Sequence, residues 1–132
     1  MNLHLLKSAV VSALCLLPAA APGRAQVPPS ASELVAYDGL HRAAAEGDLK
    51  TLEAMLATKP EIDKRDSYGR TAFHVAAYRK QREVMTLLLK AGADANALES
   101  QAYDAVTIAA VADDVETLKV SLALGNKATN IT

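Results

Sequence analysis

The chain has 132 residues, enough for one small domain. Hydrophobic residues make up 51% of it and aromatic residues only 4%, a balance that suits close packing of small side chains between helices. Fourteen basic residues against 15 acidic ones leave a net charge of −1, a balance that does not point to nucleic acid or an anionic membrane surface. The single cysteine, Cys15, lies near the N-terminus, so the rest of the chain has no disulfide, thiol nucleophile or thiolate metal site.

Residues 1–25 read as a secretory signal peptide. Lys7 supplies the positive start, and Ala9 to Leu17 is an apolar run too short to span a bilayer. Gly23 and Ala25 are the small pair before a cleavage point after Ala25. An uncleaved anchor or an unstructured leader is the plainer alternative, and the large Leu14 argues against lipid attachment at Cys15. The expectation is an exported protein with no membrane span after cleavage. Its simplest location is the periplasm of a Gram-negative bacterium, and the extracellular space is the other.

Residues 26–31 form a proline-rich lead-in, held extended around Pro28-Pro29. Ser30 or Ser32 caps a helix beginning at Glu33, and Asp38 to Glu46 is a further helical stretch. Gly47-Asp48 is a turn, after which Leu49, Leu52, Met55 and Leu56 mark one buried helical stripe that ends by Lys59-Pro60. A charged turn follows, with Gly69 where a positive φ is needed. Helices are expected over 72–79 and 82–90, closed by the stop signal Ala91-Gly92. The next turn has Ala102 where the first has Gly69, so it is either strained or differently shaped. Helices over 104–112 and 114–123 end at Gly125.

A period of 33 residues runs through these elements. His41 and His74 are one period apart, as are Ala43-Ala44, Ala76-Ala77 and Ala109-Ala110; Leu56, Leu89 and Leu122; and Gly92 and Gly125. Asp38 and Asp104 stand where the middle copy has Thr71, and both residue types can cap a helix. The middle copy matches Gly69, Thr71, His74, Ala76-Ala77, Leu88-Leu89, Gly92-Ala93 and Asn96 of a G-x-T-P-L-H-x-A-A…L-L-x-x-G-A-x-x-N pattern. Ala72, Phe73 and Lys80 depart from its usual proline, leucine and glycine. The stretch resembles an ankyrin repeat. The resemblance implies an all-α solenoid of helix-turn-helix repeats with short hairpin-like turns, over residues 32–132 and in copies at about 33–65, 66–98 and 99–132. It also implies protein–protein binding without catalysis.

Two readings attach to His41 and His74: a metal or acid–base pair, or the repeat's fixed turn-tying histidine. The single-period spacing favours the second, and Thr107 occupies the third position. Asp113, Asp114 and Glu116 open a helix, where they complement its dipole; no calcium-loop pattern accompanies them. No nucleophile, phosphate loop or cofactor motif is apparent, so neither an enzyme nor a cofactor is expected. The structural motif positions are His41, His74, Gly69, Thr71, Gly92 and Gly125.

By the resemblance, the turn tips and the inner face of each first helix form a concave binding surface. Carried over residue by residue, this gives Ser67, Tyr68, Arg70, Tyr78 and Arg79 in repeat two. In repeat three it gives Ser100, Gln101, Tyr103, Val111 and Ala112, and in repeat one Tyr37, Ala45 and Glu46. Tyr68, Arg70, Tyr78, Arg79, Ser67, Tyr103 and Gln101 are the candidate contacts, since tyrosine and arginine are enriched at binding hot spots. Tyr37 and Tyr103 have a structural reading as well, because they repeat. Ser67 to Asn96 carries five basic and two acidic residues, with a basic edge at Arg79, Lys80 and Arg82. The bland reading of that edge is a solvated face; the functional one is a groove for an acidic partner. The expected partner is another protein, and not nucleic acid. The apolar last helix adds an expectation of self-association or of further repeats beyond it. An immunity or inhibitor protein for a toxic enzyme, or a secreted effector, is the alternative role.

Overall fold

The computed structural model describes residues 26–125, so the signal-peptide reading falls outside the described residues. Among the described residues there are seven helices and no strand. We label them α1 (Ala31–Ala36), α2 (Gly39–Glu46), α3 (Leu49–Leu56), α4 (Ala72–Tyr78), α5 (Arg82–Lys90), α6 (Ala105–Val111) and α7 (Val115–Ala123). Three antiparallel pairs, α2/α3, α4/α5 and α6/α7, stack side by side. The first helices pack in one layer, α2 on α4 on α6, and the second helices in another, α3 on α5 on α7.

The alanine pairs make the inner layer possible. Ala43-Ala44, Ala76-Ala77 and Ala109 are buried at the contacts between first helices, where nothing larger would allow close approach. Leu52, Phe73, Val84, Met85, Leu88 and Ile108 fill the space between layers. Each such side chain gains about 1.5–3 kcal/mol on leaving water.

The 33-residue period is also a period of backbone conformation. Gly47, Lys80 and Asp113 take φ of +70°, +57° and +52° at the turn inside each repeat. Lys59, Gly92 and Gly125 take +52°, +102° and +101° after each second helix. Glycine is therefore not required for the path. The packing imposes a left-handed residue and some positions meet it with lysine or aspartate, at a cost of about 1–2 kcal/mol each.

Capping sets the helix starts. Thr71 Oγ1 accepts from the His74 N–H, and Thr71 N–H donates to His74 Nδ1 at 3.0 Å. Asp48, Asp104 and Asp114 accept from the N–H of Thr51, Thr107 and Thr117. Asp38 makes no side-chain cap bond, so it departs from its counterparts Thr71 and Asp104. Its backbone is extended like theirs; what differs is the next residue, Gly39, at φ +52°. Tyr37 is extended as well, and the break between α1 and α2 falls at Tyr37-Asp38. The break lets Tyr37 Oη reach Asp66 Oδ2 at 2.6 Å.

Candidate binding face

Between repeats the chain makes two hairpin-like fingers of the same design. In the first, Asp66 N–H donates to the Arg70 carbonyl at 2.9 Å and Gly69 N–H to the Asp66 carbonyl at 3.0 Å. In the second, Glu99 N–H donates to the Tyr103 carbonyl at 3.0 Å and Ala102 N–H to the Glu99 carbonyl at 2.8 Å. A carboxylate binds each finger from within: Asp66 Oδ1 accepts from the N–H of Tyr68 and Arg70, and Glu99 Oε1 from those of Gln101 and Tyr103. Ser100 N–H donates to the Tyr68 carbonyl at 2.9 Å and links the fingers. Ala102 sits at φ +65° against +71° for Gly69. The turn without glycine is thus strained, not differently shaped.

His74 joins finger to helix. Because its Nδ1 accepts from the Thr71 N–H, its proton resides on Nε2, which donates to the Ala97 carbonyl at 2.7 Å. Burial, against the help of that carbonyl, lowers its pKa to about 4, so the ring is neutral at pH 7. His41 Nε2 lies 2.8 Å from the Arg70 carbonyl. Among the described residues, no group of three His, Cys, Asp or Glu side chains is placed to hold a metal.

Arg70 requires a correction. It was expected at the surface as a contact residue, yet its side chain is 0% exposed. Nε bonds Asp66 Oδ2 at 2.7 Å, Nη1 bonds the Val27 carbonyl at 3.0 Å, and Nη2 pairs with Glu33 Oε1. The Tyr68 ring stacks on its guanidinium at 4.6 Å. Burial pushes the Asp66 carboxyl up, but hydrogen bonds from Tyr37 and Arg70 outweigh it and hold the group below its ordinary value. In Glu33 likewise, burial is outweighed by the Ser30 cap bonds and the Arg70 charge. Burial and the bond to Asp66 push the Tyr37 phenol well up.

What covers Arg70 is the lead-in. Gln26 Nε2 donates to the Thr107 carbonyl of α6 at 2.9 Å, and Val27 lies over repeat two. Leu34 and Val35 of α1 share a crevice with Arg42, Ala45, Glu46 and Arg79. Residues 26–36 therefore run across the inner face, over positions in all three repeats. The sequence offered one sign of this: Ser30 and Glu33 stand at capping-box spacing, and both cap bonds form. That Glu33 would also pair with Arg70, 37 positions away, had no local signal.

The other candidates divide. Ser67, Tyr68 and Arg79 are exposed, while Tyr78, Gln101 and Tyr103 are half-buried. Tyr78 Oη, Glu99 Oε2 and Gln101 Oε1 are buried with no hydrogen-bond partner. Burial and the Glu99 charge push the Tyr78 phenol up, which places the two within electrostatic reach. Of the basic edge, Arg82 is engaged by Asp114 at 3.1 Å, whereas Lys80 is exposed.

Comparison with known proteins agrees with this architecture. A family model of ankyrin repeats (many copies) matches residues 40–89. Residues 40–89 thus carry ankyrin repeats. It is similar to the BTB/POZ domain and ankyrin repeat-containing protein NPR1 of Malus hupehensis, with 40% identity over 72 residues, 54% of this chain and 12% of that protein. It is also similar to Inversin of Gallus gallus, with 34% identity over 85 residues, 64% of this chain and 8% of that protein. The chain thus spans about a tenth of the length of these curated relatives. Ankyrin repeats are generally protein–protein interaction modules, not catalysts. Among the described residues no helix is long and apolar enough to cross a membrane.

Proposed function

We propose that this chain is a non-enzymatic protein-binding module that works in the periplasm of a Gram-negative bacterium. The observation that carries the binding reading is the inner face. Tyr68 and Arg79 are exposed there and Tyr78 and Tyr103 half-buried, on fingers and a first helix held by hydrogen bonds. Tyrosine and arginine are enriched at binding hot spots, tyrosine loses little entropy per area of contact, and a rigid scaffold reduces the ordering cost of binding. Residues 1–25, with their short apolar run and small residues before Gln26, support export.

The test is a pull-down of the tagged protein from periplasmic extract beside a Tyr68/Tyr78/Arg79 triple-alanine variant of unchanged helicity. One partner protein captured by the first and lost with the second is the expected result. Equal capture by both would place binding elsewhere. If the captured partner is an enzyme silenced on binding, the role is inhibition. N-terminal sequencing of the fractionated protein should find a chain starting at Gln26 in the periplasm; an intact chain confined to the cytosol would overturn that location.

A further inference from the structure

The lead-in behaves as a ligand of the face it crosses. Apart from Leu34, which packs against the core, its links to the repeats are polar and of a kind any extended polypeptide can offer. They comprise a main-chain carbonyl (Val27) and a carboxylate (Glu33) for Arg70, and a carboxamide (Gln26) for the Thr107 carbonyl. α1 contains no fully buried residue, and Leu34 is its partly buried contact with the core, so the segment can lift away at the loss of that contact. The extended pair Tyr37-Asp38 marks where it would part from the repeats, because Tyr37 is itself held by Asp66.

We propose that residues 26–36 are a self-occupying strap, and that the inner face takes an extended segment of another polypeptide which displaces it. This deepens the protein-binding reading above and rests on it. The incoming segment therefore offers Arg70 what the strap offers it, a carboxylate and a main-chain carbonyl. A strap seated 90–99% of the time would weaken binding in trans by roughly 10–100-fold.

The test uses a fluorescent synthetic peptide copying residues 26–36 and two forms of the chain, unaltered and Gln26→Ala/Glu33→Gln. The double substitution loosens the strap but keeps an acceptor at the cap. Fluorescence anisotropy is expected to show at least tenfold tighter peptide binding to the double variant. A peptide with glutamine in place of its glutamate should lose that gain. Equal affinity for both chains, or no binding to the loosened one, would overturn the proposal. Should the variant not fold, hydrogen exchange on the unaltered chain decides. Saturating peptide must speed exchange of the α1 amides, and unchanged protection overturns the strap. The partner from the pull-down separates the two claims. A partner lost with the triple-alanine variant but bound equally with the strap loosened or intact would keep the protein-binding reading and sink the strap.

Discussion

The two fingers are one backbone built from different residues. Both close with the same pair of main-chain hydrogen bonds, and both hold two N–H groups on a carboxylate oxygen. The first uses Asp66, Gly69 and Arg70; the second uses Glu99, Ala102 and Tyr103. In the first, the second carboxylate oxygen is occupied twice over, by Tyr37 and Arg70. In the second it is buried and bare. The first turn uses glycine at its positive φ and the second strains an alanine. The repeat geometry thus tolerates chemical variation, and the variation records the neighbours: the first finger is tied to the chain's own N-terminal segment, and the second retains unspent polar atoms.

The comparison breaks most sharply at the carboxylates. Arg70→Ala strands Asp66 and Glu33 and should cost about 3–5 kcal/mol in urea unfolding, with Asp66→Asn close behind. Glu99→Gln keeps the accepting oxygen and removes a buried charge, so its loss should stay under about 1 kcal/mol. Equal losses at the two sites would refute the asymmetry.

Acid titration sharpens it next. His74, between the fingers, has a folded pKa of about 4, below the ordinary 6.5. Its neutral form is the bonded one, so its contribution is full above pH 6.5 and is lost as pH falls from there towards 4. The loss is about 3 kcal/mol. Asp66 and Glu33 are lowered carboxyls, whose contribution survives this window and fails only below about pH 4. Chemical unfolding at a series of pH values should show the upper decline, and His74→Gln, less stable at pH 7, should flatten it. A decline unchanged in that variant would assign it elsewhere.

The smallest effects come from exchanging the turn residues. Gly69→Ala places a Cβ at positive φ, 2.7 Å from Ser100 Oγ and 3.1 Å from Ser100 N. It should cost more than about 1 kcal/mol, while Ala102→Gly should gain about 0.5 kcal/mol. Thermal melting of both variants checks the opposite signs.

Much of this was legible in the sequence. The period placed the three helix pairs, because alanine pairs, leucine stripes and cap residues are local signals repeated in register. Arg82 to Lys90 is bounded by Gln81 and by Ala91-Gly92, and its expected limits match α5. The site was less legible. Tyr68 and Arg79 are where the repeat pattern puts them, at the surface. Arg70 is not, since its exposure depends on what crosses it, and Pro28-Pro29 states only that the lead-in is extended. A contact between Glu33 and Arg70, or between Gln26 and Thr107, is set by tertiary folding alone and leaves no trace in spacing.

The central claim is that the N-terminal segment is energetically tied to repeat two through Arg70. A double-mutant cycle with Glu33→Gln and Arg70→Met, read by urea unfolding, tests it directly. The two residues are 37 positions apart and belong to different elements, so they communicate only if the strap is seated. The structure calls for a coupling of at least about 1 kcal/mol. Additive effects, within about 0.3 kcal/mol, would mean that the segment does not rest on the inner face in solution.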